Sequence, residues 1–515
     1  MNRLMLGALL ACTALLFPLK AAFAEDNAKP RTVYEEKQKQ NTTIAQSVDA
    51  EVAARAINMP PQMDLDVEWY SPHLDNGTGP IIKGWVIKDL VLLETAKHFL
   101  VAVRRADGYE RWRCELEDAI RYAPSVSNNN VVVNVKNFLV GIEKNGGDIR
   151  WRLIPDFVMS TSPLCVDPPS YPKEYTRKWQ NMESIYAGSW DGRINAMIIR
   201  GRLSYFIQNP IESKNFSAPE FDIYYQFHKS SPIKNASVTQ PIELRDNLLY
   251  YTSEDSNVYA VSRDAEEREP YTLQDTPTTT LTVTPSTSTQ AGSVFVGCKN
   301  GYVYCLDRLT LKKKWSFPSG YPVVGTIFAD EPKTPYVYAA TNDGNLHALE
   351  VTPAKSSRGS AESPETFDVA WDLPAAGVVT AGPDFVYAGL NATKDFPAYN
   401  GIEAVGKTTG KVKWKVEGGF FAMYLEYQNA WSKAGGEARV YAVTNDGRVV
   451  SLKEKTRDTG LRVVKDPQKV VDPSAPVKII GKKAGGGDDA PKDAPKDAPK
   501  EDAPKDAPKD APKKD

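Results

Sequence analysis

One figure repeats in the hydrophobic pattern of this chain. A run of alternating apolar and β-branched residues, a short polar turn and a second such run recur about every 40 residues. The clearest copy is Phe295 to Trp315, FVGCKNGYVYCLDRLTLKKKW, where two strands flank Asn300-Gly301 and a third carries Trp315. Asn-Gly between alternating runs predicts a two-residue primed hairpin turn, because both residues tolerate positive φ. Tyr338 to Leu349 and Tyr441 to Leu452 align with it, with Asp343-Gly344 and Asp446-Gly447 at the turn, and Tyr186 to Met197 is a third match. Looser copies run from Leu93 to Val103, Val133 to Ile142, Tyr251 to Val261 and Tyr387 to Val405, the last with residues inserted at its turn. Together these make eight hairpins.

Two further landmarks keep step with the hairpins. The distance from the last apolar residue of a hairpin to a tryptophan is nine positions at Val103 to Trp112, Ile142 to Trp151, Leu306 to Trp315 and Val405 to Trp414. Ahead of several hairpins a small or polar residue and proline open another strand: Ala123-Pro124, Ser162-Pro163, Gln240-Pro241 and Thr284-Pro285. Four strands per unit predict an all-β fold, an eight-bladed β-propeller with four-stranded antiparallel blades. Were one weak hairpin a loop, the count would be seven. Asp66-Val67-Glu68-Trp69 matches Asp368-Val369-Ala370-Trp371. Asp64 to Tyr70 is therefore predicted as the fourth strand of the last blade, an N-terminal strand that closes the ring and removes its exposed edges. Trp69, Trp112, Trp151, Trp315, Trp371 and Trp414 are predicted to dock one blade on the next as packing rather than as a cofactor platform.

These units resemble the PQQ-like propeller repeats, which read approximately VYVGSxDGxLYALDxxTGxxxWxx. Phe295 to Trp315 and the Thr409-Gly410 to Trp414 turn and strand carry the resemblance best, and it extends from about residue 64 to 464. It implies a fold more than a function, since such repeats serve both quinoprotein dehydrogenases and the non-enzymatic outer-membrane assembly factor BamB. The dehydrogenase side of the family implies an adjacent Cys-Cys pair over the quinone and a Glu/Asn/Asp set for Ca²⁺. The sequence has no Cys-Cys dipeptide and no stretch that matches those ligands. It also lacks G-x-S-x-G, a Walker loop and His-Glu-x-x-His. The reading is a scaffold that is not an enzyme and uses no cofactor. By the resemblance its partner is a protein of the cell envelope, an outer-membrane β-barrel assembly protein. Two alternatives stay open: an oxidoreductase using PQQ or another ligand of the central channel, and a surface protein tethered to the wall.

Composition narrows this further. Lys plus Arg number 63 against 65 Asp plus Glu, a formal charge of -2, which gives no reason to expect nucleic acid. Four scattered histidines, His73, His98, His228 and His347, speak against a histidine-rich metal site. Met1 to Ala24 has the basic start, apolar run and Ala-Phe-Ala end of a signal peptide cleaved after Ala24, which predicts a periplasmic or envelope location. A rival reading takes Leu9-Leu10-Ala11-Cys12 as a lipobox with Cys12 lipidated. No apolar run suffices for a membrane span in the mature chain, and a monomeric propeller is expected. Cys114, Cys165, Cys298 and Cys305 remain, with disulfides permitted and buried free thiols favoured. For the close pair, a two-residue turn would set Cys298 opposite Val303 and Cys305 opposite Val296, too far apart to bridge easily.

Residues 25–62 read as a partly helical extension, 63–465 as the propeller, and 466–515 as a linker and an extended, disordered Asp-Ala-Pro-Lys repeat. That tail reads as a spacer, an ionic tether or a solubilising segment. Insertions at 166–184, 198–221, 351–368 and 426–438 all fall on one face of the predicted disc, and 391–400 interrupts a hairpin turn on the other. Five glycosylation sequons, at Asn41, Asn76, Asn215, Asn235 and Asn391, occur often enough by chance to carry little weight.

Overall fold

Second strands such as Asn130–Val135, Tyr336–Thr341 and Leu248–Thr252 are buried on both sides. Fourth strands such as Glu110–Glu115 alternate, with Trp112 and Cys114 inward and charged residues outward. A strand covered on both faces reads as continuous β-branched and aromatic sequence, whereas one at a rim shows period two. That difference follows from stacking blades against one another. The computed structural model describes residues 59–60, 62–167, 183–199, 221–227, 236–263, 267–285, 292–330, 336–352, 365–393, 396–427 and 438–454. The predicted N-terminal helix, the signal peptide and the Asp-Ala-Pro-Lys tail lie outside these residues.

The strands run as antiparallel meanders of four. Blades 1 to 7 span residues 81–115, 125–153, 164–227, 243–272, 282–318, 323–374 and 377–416. Blade 8 consists of Phe421–Leu425, Arg439–Thr444 and Val449–Glu454, completed by the first strand among the described residues, Leu65–Tyr70, which pairs antiparallel with Val449–Glu454. Arg439 grips Glu68 with two nitrogens at 2.8 Å across that closure. Each junction between successive blades holds its own hydrophobic cluster. The last of them packs Trp69, Tyr441 and Val443 of blade 8 on Val91, Leu93 and Val101 of blade 1, so the order closes on itself. First strands of neighbouring blades converge, as 243–245 does on 282–283 and 323–330 on 377–381, which places them at the axis.

Hydrogen-bonded sheets number seven among the described residues, because a strand of blade 7 also pairs with blade 8 and fuses the two into one eight-stranded sheet. Two expectations need correction. The Asn300-Gly301 turn holds three residues, not two, whereas the blade 2 turn, with Val135 opposite Phe138, holds two. Cys298 N donates to Tyr302 O at 2.9 Å, Gly301 N to Cys298 O at 3.1 Å, and only Gly301 of the turn has positive φ, at 83°. This is a three-residue turn ending in a left-handed glycine, a geometry Asn-Gly serves as well as the primed one. The extra residue moves Cys305 opposite Phe295. Cys298 then faces blade 4 and Cys305 faces blade 6, so the two thiols lie on opposite sides of their blade and all four described cysteines are free. Finally, Thr284-Pro285 follows the first strand of blade 5, Thr282–Val283, rather than opening it. Thr284 N still donates to Ser293 O, and proline, having no N–H, ends the ladder.

Candidate functional site

The six tryptophans picked out by spacing lie one to a fourth strand in blades 8, 1, 2, 5, 6 and 7, distributed around the ring. Each stands opposite a small third-strand residue: Ser451, Ala102, Gly141, Cys305, Ala348 and Ala404 face Trp69, Trp112, Trp151, Trp315, Trp371 and Trp414. A register shift adjoins each pair, as a bulge that re-aims a side chain would. Three indoles meet the same seat in the next blade. Nε1 of Trp69, Trp112 and Trp371 donates to the carbonyls of Arg105, Lys144 and Lys407 at 2.9, 2.7 and 2.6 Å. Three residues further on come Gly108, Gly147 and Gly410, with φ of 75°, 79° and 63°. A Cβ at any of them would run into the indole, at 2.7 Å for Gly147. Glycine is needed there both for the left-handed backbone and for the contact.

Other junctions are built differently. Blade 4 has no tryptophan on its fourth strand, Tyr271–Thr272. The carbonyl of Arg308, equivalent to that of Lys144, accepts instead from the Tyr250 hydroxyl at 3.0 Å. Leu311 takes the glycine position at φ 55° and its buried side chain joins the cluster between blades 4 and 5. Trp315 donates to Glu365 Oε1 at 3.0 Å, and Lys314 holds the other oxygen at 3.0 Å. Trp151 and Trp414 are buried in the clusters that join blade 2 to 3 and blade 7 to 8.

One grouping has the distances of a catalytic relay. His347 Nδ1 lies 2.7 Å from Asp372 Oδ1, and Nε2 lies 3.3 Å from Thr341 Oγ1. A hydroxyl, an imidazole and a carboxylate in series would suit nucleophilic catalysis. Thr341, however, is 1% exposed, and its hydroxyl is engaged with Asp343 at 2.5 Å and the Asn345 carbonyl at 3.1 Å. The same turn recurs at Ser189 with Asp191 and at Thr444 with Asp446. In blade 3, Asn195 stands where His347 does and donates to Ser189 Oγ at 3.1 Å. The hydroxyl fastens the turn, and His347 supports it.

Buried carboxylates are dispersed in the same way. Glu94 pairs with Lys83 at 3.3 Å in blade 1, and Glu183 of blade 3 accepts from Ser127 and Asn130. Burial raises the Glu403 carboxyl in blade 7 and pushes Glu243 on the first strand of blade 4 up to about 7. No two of these form an acid/base pair. Among the described residues no group of three or more His, Cys, Asp or Glu is placed to hold a metal ion. Burial drives the Cys114 and Cys298 thiols up to about 12, so they stay protonated and unreactive.

Among the described residues the two faces of the ring differ. In a meander, the turns between second and third strands and the links between blades emerge on one face. There Trp190, Val158 and Ile154 are 51%, 65% and 62% exposed, and Trp190 N donates to Val158 O at 3.1 Å. Tyr321, 53% exposed, lies beside the blade 5 turn on the same face. On the turns of the other face, among the described residues, Leu309 is the large apolar side chain left so open, at 48%.

Residues 66–164 match the family described as outer membrane protein assembly factor BamB. Residues 66–164 therefore carry BamB-like repeats. BamB from Moraxella catarrhalis is similar at 15% identity over 73% of this chain and 83% of that one, with a TM-score of 0.36. A quinohemoprotein alcohol dehydrogenase from Pseudomonas putida is similar at 13% identity over 76% of each chain, with a TM-score of 0.45. No curated protein sequence matches the chain. Trp190 and the His347 support were missed in the sequence reading. The signal for Trp190 is a large aromatic in a turn position that holds Asn elsewhere, at Asn342 and Asn445.

Proposed function

We propose that this PQQ-like repeat protein is a non-catalytic binding scaffold of the cell envelope, exported, whose partner is a protein of outer-membrane assembly. The observation that carries the reading is the apolar surface that the described residues expose on one face. Trp190, Val158 and Ile154 present an apolar surface on turns held by a rigid ring, and large aromatics on such turns are the usual anchors of protein interfaces. The match of residues 66–164 to the BamB family supports the choice of partner class.

The test places a photo-crosslinking amino acid at position 190 and, in a second variant, at position 309, in intact cells. Capture of an outer-membrane assembly protein from position 190, and not from 309, is the expected result. Capture from position 309 alone, or of no envelope protein from either, overturns the reading. A rise in the melting temperature of the purified protein with added quinone and Ca²⁺ would favour the oxidoreductase alternative instead, by ligand linkage.

A further inference from the structure

The insertion at the blade 7 turn is not a loose loop. Its two strands, Phe385–Thr393 and Phe396–Gly406, run on past the point where the other hairpins turn. Ala398 and Tyr399 pair with Leu425 and Tyr424 of the first strand of blade 8. The other edge of that strand is already taken by Arg439–Thr444. The hairpin therefore occupies the inner edge, which faces the axis. It also approaches the first strand of blade 1, Ile81–Ile87, two blades along.

Burial fixes the contact. Tyr399 is 4% exposed, and its ring covers Gly377 and Gly389, where any Cβ would collide with it. Ala398 is built into the cluster between blades 8 and 1. Just beyond the paired strand, Tyr427 N donates to Val379 O at 2.7 Å and Thr326 Oγ1 to Glu426 at 3.5 Å, which reaches the first strands of blades 7 and 6. The hairpin strand touches the first strands of blades 8, 7 and 1, and residues 426–427 beside it touch those of blades 7 and 6, a convergence that lies at the axis.

We infer that the part of the Phe396–Gly406 strand around Ala398 and Tyr399 is a resident plug, a strand this chain adds to its own inner edge, and that the inner edge of blade 8 is a strand-accepting site. The propeller axis is the natural ligand cavity of such a fold. Here the chain itself occupies the inner edge of blade 8. Added strands bind mainly through main-chain hydrogen bonds, so the site would take an extended peptide in place of the hairpin.

The experiment is hydrogen exchange on the full chain, together with a variant in which residues 391–400 are replaced by the Asn-Asp-Gly turn of blade 6. In the wild type, amides at 398–399 and 424–425 should exchange as slowly as those at 441–443. In the variant, exchange of the one amide of the 424–425 pair that points to the hairpin should quicken by at least about 100-fold, while its neighbour, which points to Arg439–Thr444, and 441–443 stay slow. A synthetic peptide of residues 391–402 should restore protection in the variant and bind the wild type not at all. Fast exchange at 398–399 in the wild type would overturn the plug, and this measurement holds even if the variant fails to fold. Unchanged protection in the variant, or no rescue by the peptide, would overturn the accepting edge. Neither result bears on crosslinking from position 190, so this inference and the proposed scaffold role fail separately.

Discussion

The junction of blades 1 and 2 and the junction of blades 4 and 5 offer the same carbonyl to different donors. At the first, Lys144 O receives the Trp112 indole and Gly147 clears space for it. At the second, Arg308 O receives the Tyr250 hydroxyl, no indole arrives, and Leu311 grows into the vacated volume despite its positive φ. The glycine of the turn thus answers to the neighbouring blade as much as to its own backbone. Where the neighbour lacks tryptophan, a residue rarely found at φ 55° is tolerated, because burying its side chain offsets strain of about 1–2 kcal/mol. Sequence drift in this ring is therefore paired across junctions and not confined within single repeats.

The comparison breaks most sharply at Trp112. Trp112→Ala should cost about 3–5 kcal/mol, read from urea unfolding, because a fully buried indole is lost and the Lys144 carbonyl is left bare. Gly147→Ala should cost about 1–3 kcal/mol, since the new methyl meets Trp112 in a backbone conformation that L-residues avoid. The double variant Trp112→Ala, Gly147→Leu imitates the blade 4–5 junction. It should unfold at a higher urea concentration than the sum of its single changes predicts, by at least about 1 kcal/mol of coupling. Simple additivity would mean that the two junctions are unrelated. Tyr250→Phe should cost about 1 kcal/mol through the lost bond to Arg308 O, with the packing retained.

The last test uses pH between about 4.5 and 7, because neither seat titrates there: Trp112 carries no ionisable group and burial pushes the Tyr250 hydroxyl up to about 12. Burial raises the Glu243 carboxyl from its ordinary 4.5 to about 7. Between those values the unfolded chain ionises while the folded one stays protonated, so stability falls as pH rises through that window. Glu243→Gln should remove this part of the fall. The Trp112 and Tyr250 variants should keep the wild-type slope, and a flattened slope in either would tie the seats to charge after all.

Much of this was readable in the chain because a repeat imposes its pattern locally. The strand spacing, the nine-residue step to tryptophan and the likeness of Asp66–Trp69 to Asp368–Trp371 each need only neighbouring residues. What was lost depends on distant ones. Asn300-Gly301 fits two turn geometries, and the choice between them decides whether Cys298 and Cys305 share a face. The length of the blade 7 insertion was plain, but its inward direction rests on Gly377, Gly389 and the edge at Tyr424. Exposure of Trp190 is likewise a property of the assembled face, invisible in the motif SWDG.

The closing pair of Leu65–Tyr70 with Val449–Glu454 also sets a timetable. Arg439 and Glu68, which lock it, are 371 residues apart in the chain. During synthesis the strand that completes blade 8 leaves the ribosome first and finds its partner last. Until then one blade lacks its outer strand, Trp69 has no seat on Gly108, and both open edges can pair with the wrong chain. Traffic across a membrane before folding, or a companion that covers Leu65–Tyr70 in transit, would shelter this molecule during the interval in which it is most exposed.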